Sequence, residues 1–240
     1  MKPGQVRRPV VQWLSWVLLA GAALQVFWLL RVGVMVVSDP ASTAVQRTEL
    51  VRLWMRDGWG MEWYHTPTEH GLMTDQLRKA VVASEDAKFF DHYGVDWAAV
   101  QAAWQRNQSG QAKKKVVGGS TITQQLAKNL FLSGERSLLR KGQELVITGM
   151  LELVLSKRQI LDIYLNHVEW GEGVFGAEEA SQAYFDQHAW ALNASQAARL
   201  AVMLPSPKRF EDNPNSRYLR RRSDIIRQRM RDVSVPRSPA

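Results

Sequence analysis

The longest run of apolar positions lies at the beginning of the chain. Residues 10–30, VVQWLSWVLLAGAALQVFWLL, contain no charged residue, and the apolar character continues beyond Arg31 to Val37. About 20 apolar residues span the hydrocarbon core of a bilayer, whereas the apolar part of a cleaved signal peptide has about 7 to 15. The length therefore favours an uncleaved transmembrane anchor over residues 10–37, with a cleaved signal peptide as the alternative.

Charge around this segment predicts its orientation. Lys2, Arg7 and Arg8 precede it without an acidic residue among them. The positive-inside rule then predicts a cytoplasmic N-terminus, residues 1–9, and a periplasmic position for residues 40–240. No later segment is long and apolar enough to span a membrane, so the predicted topology is single-pass.

After residue 40 the apolar positions recur mostly at helical spacing, and the predicted fold class is mainly α. Thr74 and Ser137 stand where they can cap two such segments. Extended structure is expected only in the Trp-rich stretch WMRDGWGMEWYHTP, and the glycines and lysines of SGQAKKKVVGG predict a mobile loop. The predicted organisation is a membrane-proximal linker, a helical domain and an Arg-rich segment, at residues 38–73, 74–216 and 217–240.

One predicted helix, within GGSTITQQLAKN, has an unusual polar face. With Ile122 at 0° on a helical wheel, Leu126 falls at about 40° and Leu130 at about 80°, so these residues form an apolar face. The opposite side carries amides and one cation, from Gln124, Gln125, Lys128 and Asn129. Amides both donate to and accept from sugar hydroxyls, and a lysine suits phosphate. An ordinary solvated helix face is the alternative.

Two further stretches carry carboxylates next to apolar helix faces. SEDAKFFDHYGVD contains Glu85 after an apolar face, and burial of such a carboxylate raises its pKa toward the range of a general base. In RSLLRKGQELV, Glu144 follows Arg140 by four residues and opens an apolar run. A solvated helix end and a plain intrahelical ion pair are the respective alternatives.

Charge along the chain argues against nucleic acid as a partner. The formal net charge is +8, but residues 1–9 contribute +3 and residues 217–240 contribute +6, so the body carries about −1. The Arg-rich end is consistent with contact to anionic lipid head groups or with a solvated helix face. Because cysteine is absent, disulfides and thiolate zinc sites are excluded.

Five motifs in this order resemble glycosyltransferase family 51, whose domain polymerises bacterial peptidoglycan. They are EDAKFFDHYGVD, GGSTITQQLAKNLFL, RKGQE, KRQILDIYLNHVEWGEGVFGAEEAS and LAVMLPSPKRFEDNP, covering about residues 75 to 215. The resemblance implies a lysozyme-like helical fold behind the anchor. Bifunctional members carry Ser-x-x-Lys and Lys-Thr-Gly motifs of a transpeptidase domain, which this sequence lacks, so no transpeptidase activity is expected.

The resemblance also implies roles for individual residues. Glu85 would be the general base and Glu144 the second essential carboxylate. The other expected site residues shape the surroundings of the base, begin the polar helix or hold the sugar and diphosphate of the donor; they are Asp86, Phe89, His92, Ser120, Thr121, Gln124, Gln125, Lys128, Asn129 and Arg140. The implied reaction is an inverting polymerisation of lipid II that releases undecaprenyl diphosphate.

The expected ligands and partners follow from that reaction. They are lipid II, the lipid-linked glycan chain and the bacterial inner membrane, with other cell-wall synthesis or division proteins as further candidates. No cofactor is required by the sequence; a divalent cation, Mg²⁺ or Mn²⁺, remains open, with Glu144 as a contributor, although no dedicated ligand set is present. A lysozyme-like enzyme that cleaves glycan, with Glu85 as the acid, is the alternative activity, and an inert membrane-tethered scaffold is a third.

Overall fold

The N-terminal unit contains a long helix, most of whose large apolar side chains are exposed. The computed structural model describes residues 4–68, 72–108, 119–132, 134–135, 137–211, 213 and 216–236. Helix α1 runs Gly4–Val34, and its part from Pro9 to Val34 has a mean hydropathy of 1.9. Among the described residues it is the one helix long and apolar enough to cross a membrane. Residues 1–39 form one compact unit and residues 40–240 a second.

The second unit is built mainly of helices. Their bounds are α2 Ala44–Asp57, α3 Asp75–Glu85, α4 Trp97–Gln108, α5 Ile122–Phe131, α6 Leu138–Val154, α7 Lys157–His167, α8 Ala177–Phe185, α9 Ala194–Met203, α10 Pro207–Glu211 and α11 Arg217–Arg229. Short 3-10 turns cover Gly58–Gly60, Ala189–Ala191 and Met230–Asp232. The predicted caps are confirmed, because the Thr74 and Ser137 side chains accept hydrogen bonds from the first turns of α3 and α6.

Helix α2 lies where a polar connection and extended structure were predicted, and that prediction is wrong for residues 44–57. Thr43 and Gln46 form a capping box that starts the helix. The helix buries Gln46 and Glu49 together with Leu53, so its inner face is partly polar. A Lys208 ammonium group 2.5 Å from Glu49 compensates the buried carboxylate.

A small three-stranded sheet, of order β1-β3-β2, is the extended part of this unit. Strand β1, Tyr64–His65, lies in the Trp-rich stretch as predicted, and it pairs in parallel with β3, Val174–Phe175. Strand β2, Glu169–Gly171, pairs antiparallel with β3; both strands lie outside the Trp-rich stretch, so the prediction that extended structure occurs there alone is wrong. The hairpin requires glycine at position 173, where φ is +71° and a Cβ would lie 2.4 Å from the Glu62 carbonyl oxygen.

The core lies where two groups of helices meet. Helix α3 packs against α9 and α11, while α5 packs against α6 and α7. Leu77, Leu126 and Ile226 are fully buried in these contacts. The Arg-rich helix α11 and the membrane-proximal helix α2 therefore belong to the same compact unit as the rest, whereas the sequence placed boundaries at 73/74 and 216/217. Most of the predicted lysine-rich loop, residues 109–118, lies outside the described residues.

Candidate active site

Glu85 is the last residue of α3 and is held by neutral groups. Gln125 Nε2 donates to its Oε2 over 3.1 Å, and Ser84 Oγ lies 3.4 Å from its Oε1. Burial raises the pKa of the Glu85 carboxyl, the hydrogen bonds from Gln125 and Ser84 lower it in part, and nearby Arg222 lowers it further. A carboxylate with a raised pKa and no ion pair has the chemistry of a general base.

Asp86 connects the end of α3 to the beginning of α5. Its carboxylate accepts from the Ile122 backbone N–H over 3.1 Å and lies 3.0 Å from His92 Nε2. Phe89, fully buried, packs edge-on against His92. Burial raises the pKa of the Asp86 carboxyl despite the neighbouring imidazole. These residues therefore fix the position of α5 relative to Glu85.

Helix α5 begins with a capping box and has the predicted apolar face. Thr121 Oγ1 accepts from Gln124 N over 3.2 Å, and Gln124 Oε1 accepts from Thr121 N over 3.1 Å. Ile122, Leu126 and Leu130 are at most 1% exposed, which confirms the predicted core face. Gln124 departs from the predicted open face, because its amide oxygen is used by the cap and only 3% of the residue is exposed.

Glu144 on α6 is held by cations. Arg140 Nη1 donates to its Oε2 over 2.7 Å, and Lys141 Nζ makes a short contact with its Oε1. The residue is 3% exposed. Both carboxylate oxygens are thus engaged in ion pairs, and the plain (i, i+4) pair suggested by the sequence is present as half of a larger cluster.

Lys128 lies beside this cluster, half-buried and without an ion-pair partner among the described residues. Burial lowers the pKa of its ammonium group, the Glu144 charge raises it, and the charges of Arg140 and Lys141 lower it. Three cations therefore surround one carboxylate. This excess of positive charge in a partly dehydrated place favours binding of an anion.

A cleft of about 470 Å³ brings most of the predicted site residues together. Seven of them line it: Ser120, Gln124, Gln125, Lys128, Asn129, Arg140 and Glu144. The predicted residues Glu85, Asp86, Phe89, His92 and Thr121 are not part of the lining. Glu85 reaches the cleft through Gln125, and the other four support α5 and the loop before it.

The residues of the cleft do not fit a resident divalent cation. Both oxygens of Glu144 already accept from cations, so a metal ion bound there would have to compete with Arg140 and Lys141. In the described part of the chain, no group of three His, Cys, Asp or Glu side chains is placed to hold a metal ion. The positive charge of the cleft comes from its own lysines and arginine.

Sequence reasoning missed three side chains near the site. Lys141 lies inside the RKGQE motif, where its spacing of three residues from Glu144 was a usable signal. Arg222 belongs to the Arg-rich run, which was interpreted as solvated or lipid-facing. Tyr164 donates to Gln125 Oε1 over 2.9 Å from a fully buried position on α7, and no local pattern indicates this.

Comparison with protein families identifies the family of this chain. The family model described as Transglycosylase matches residues 60–231. The chain belongs to the transglycosylase family. Its predicted mainly α, lysozyme-like fold is thereby confirmed, and it is a peptidoglycan glycosyltransferase.

Individual relatives of this transglycosylase extend the match over most of the chain. A biosynthetic peptidoglycan transglycosylase of Bordetella avium (strain 197N) is 51% identical over 200 residues, which cover 82% of this chain and 83% of the relative. One from Janthinobacterium sp. (strain Marseille) is 46% identical over 234 residues, 97% of this chain and 100% of the relative. One from Paraburkholderia xenovorans (strain LB400) is 45% identical over 240 residues, 98% and 96% respectively.

Proposed function

We propose that this transglycosylase polymerises lipid II into glycan strands with inversion at the reacting carbon. The 4-hydroxyl of the N-acetylglucosamine of lipid II attacks the anomeric carbon of the N-acetylmuramic acid at the reducing end of the growing chain. A new C–O bond forms, the bond from that carbon to the diphosphate breaks, and undecaprenyl diphosphate leaves. The hydroxyl proton passes to Glu85, so atoms and charge balance.

The single observation that carries this proposal is the half-buried cation Lys128, which has no ion-pair partner in the described part of the chain and lies next to Arg140 and Lys141. A departing diphosphate takes negative charge with it, and cations already in place where that charge develops lower the barrier. An enzyme that only hydrolyses glycan releases no such charge. The lysozyme-like alternative has no use for the cluster.

The different surroundings of the two carboxylates support distinct roles. Glu85, with neutral partners, accepts the proton of the attacking hydroxyl. Glu144, bonded to Arg140 and Lys141, fixes the two cations that hold the donor diphosphate. The polar face of α5 lies between the two and contacts the donor sugar and diphosphate through Gln125 and Asn129, with Ser120 at the edge of the cleft and Gln124 held in the cap of the helix.

The apolar helix α1 supports a membrane-bound enzyme. Its length and composition suit a single-pass anchor in the bacterial inner membrane, and the positive charge of Lys2, Arg7 and Arg8 supports a cytoplasmic N-terminus and a periplasmic catalytic unit. Both substrates carry lipid tails. Tethering to the same membrane raises their effective concentration at the cleft.

Lipid II turnover by the full-length protein in detergent tests the proposal. We expect uncrosslinked glycan strands and one undecaprenyl diphosphate released per bond formed, with no D-alanine release, since no transpeptidation is proposed. A parallel incubation with preformed glycan strands tests the alternative. Cleavage of those strands without polymerisation of lipid II would overturn the proposal.

A further inference from the structure

A chain of two hydrogen bonds runs from the core to the proposed base. Tyr164 Oη donates to Gln125 Oε1 over 2.9 Å, and Gln125 Nε2 donates to Glu85 Oε2 over 3.1 Å. Tyr164 is 1% exposed, so its hydroxyl is held by packing rather than by solvent. Burial raises the pKa of the Tyr164 hydroxyl well above its ordinary value, which keeps this group protonated and able to donate.

The hydroxyl of Tyr164 stabilises the orientation in which the nitrogen of the Gln125 amide meets the carboxylate. When Tyr164 donates to the amide oxygen, the amide nitrogen must face Glu85, where it stabilises the ionised form. With the amide reversed, its oxygen would face Glu85 Oε2, and only a protonated carboxyl could bond to it. The two orientations therefore favour opposite protonation states of Glu85.

We propose that Tyr164 is a positioning residue for the glycosyl transfer, which acts through Gln125 to hold the Glu85 carboxylate ionised and oriented. This inference rests on the proposed function, and it gives Gln125 a role besides substrate contact. With Oε2 held by Gln125, Oε1 has only the distant Ser84 hydroxyl, at 3.4 Å, as a partner. Oε1 is then the oxygen left to accept the proton of the attacking hydroxyl.

The groups that affect Glu85 from other elements lie on three helices, and those on α7 and α11 are titratable or charged. Asp86, the next residue, raises the pKa of Glu85, while Arg222 on α11 lowers it. Tyr164 on α7 is neutral, and Gln125 on α5 donates without charge. A change at Tyr164 leaves the two charges in place, so its effect on Glu85 must pass through the amide.

The pH dependence of polymerisation separates this role from a structural one. In Tyr164→Phe the amide is free to reverse, so we expect the acidic limb of kcat to move up by about 0.5 to 1 pH unit, because a neutral hydrogen bond contributes roughly that much. Activity should fall up to about tenfold on that limb and recover toward the wild-type value at higher pH, with KM nearly unchanged.

Tyr184→Phe is the matched control, because Tyr184 also donates a hydrogen bond from a part-buried position, to the Trp170 carbonyl 3.0 Å away. It should leave the acidic limb where it is in the wild type. A Tyr164→Phe profile that keeps the wild-type limb, or that is lowered equally at every pH, would overturn the inference. A wild-type protein without polymerase activity would overturn the proposed function instead.

Direct titration of Glu85 makes the test independent of turnover. Full-length protein with ¹³C-labelled glutamate carboxyls is titrated by NMR, and the Glu85 signal is assigned by its loss in Glu85→Gln. We expect the pKa of Glu85 to rise in Tyr164→Phe and in Gln125→Ala. The double variant should match Gln125→Ala alone, because Tyr164 acts only through Gln125. A Tyr164→Phe shift that persists in the Gln125→Ala background would contradict the inference.

Discussion

The two carboxylates of the site are held in opposite ways. Among the described residues, Glu85 at the end of α3 has the neutral donors Gln125 and Ser84 as its hydrogen-bond partners, and burial raises its pKa. Glu144 near the beginning of α6 is bonded to the cations Arg140 and Lys141. Two residues of the same type thus differ in what they can do. The first is available to take a proton, and the second is committed to ordering positive charge.

This contrast shows that burial alone does not define a catalytic carboxylate. Glu144 is the more buried of the two, yet its oxygens are used by ion pairs. What distinguishes Glu85 is the neutrality of its partners, since a neutral donor orients a carboxylate while leaving it basic. The following experiments test the contrast, from the largest expected effect to the smallest.

Removal of the base should have the largest effect. Glu85→Gln keeps the size of the side chain but cannot accept the proton, so we expect lipid II polymerisation to fall by about 10² to 10⁴-fold. The melting temperature should stay near the wild-type value, since no ion pair is broken. Measurement of both quantities decides the matter, and polymerisation above a tenth of the normal rate would remove Glu85 from the role of base.

Removal of the unpaired cation should come next. Lys128→Ala takes away positive charge from the leaving diphosphate, and we expect a loss of about 10² to 10³-fold in turnover. Lys79→Ala is the control, since Lys79 is a half-buried lysine that lines a separate groove with Arg227 and Arg231. Equal losses at the two positions would indicate a general effect of charge rather than a diphosphate site.

Helix α5 carries side chains next to both carboxylates. Its apolar face packs in the core, so this packing should matter for stability. Leu126 is fully buried, and Leu126→Ala should lower the free energy of unfolding by about 2 to 5 kcal/mol through lost apolar contact and a cavity. Leu153 on α6 is 82% exposed, and Leu153→Ala should change it by no more than about 0.5 kcal/mol. Denaturant unfolding of both variants checks this, and similar values would contradict the core assignment of α5.

The smallest effects concern pH. The raised pKa of Glu85 should place the acidic limb of the activity profile above the ordinary glutamate value of 4.5, because a base must be ionised. The lowered pKa of Lys128 should place the alkaline limb below the ordinary lysine value of 10.5, because the cation is lost there. Lys128→Arg should move only the alkaline limb, and it should move it to higher pH. If the alkaline limb does not respond to this change, the limb is caused by titration of a group other than Lys128.

Local pattern was sufficient where one face of a helix is apolar and its cap is a short polar side chain. The buried face of α5 and the caps at Thr74 and Ser137 follow from spacing and residue type alone. Helix α2 has a local capping box, but its inner face could not be recognised from an apolar pattern, because it buries Gln46 and Glu49, and one partner of Glu49, Lys208, lies 159 residues further along the chain. For Gln124 the usable local signal was its spacing of three residues from Thr121, which is that of a capping box, rather than its position on the helical wheel.

The sequence also could not place groups that meet the site from distant segments. Tyr164 and Arg222 approach Glu85 from α7 and α11. The residues next to them in the sequence predict only an apolar helix and a basic helix, and they do not predict these contacts. The family resemblance named the two carboxylates but not their opposite surroundings. Those surroundings depend on tertiary packing, which no periodicity within a single helix encodes.

The spacing of Gln125 and Lys128 along one rigid helix has a consequence for how this sequence can change. The residues lie three positions apart, about 4.5 Å along the axis, one next to the base and the other at the cationic cluster. A residue inserted between them would turn everything beyond it by about 100° and carry Lys128 away from the cleft. Substitutions in α5 alter one group at a time, whereas in the proposed reaction a change in its length would uncouple proton removal from departure of the leaving group.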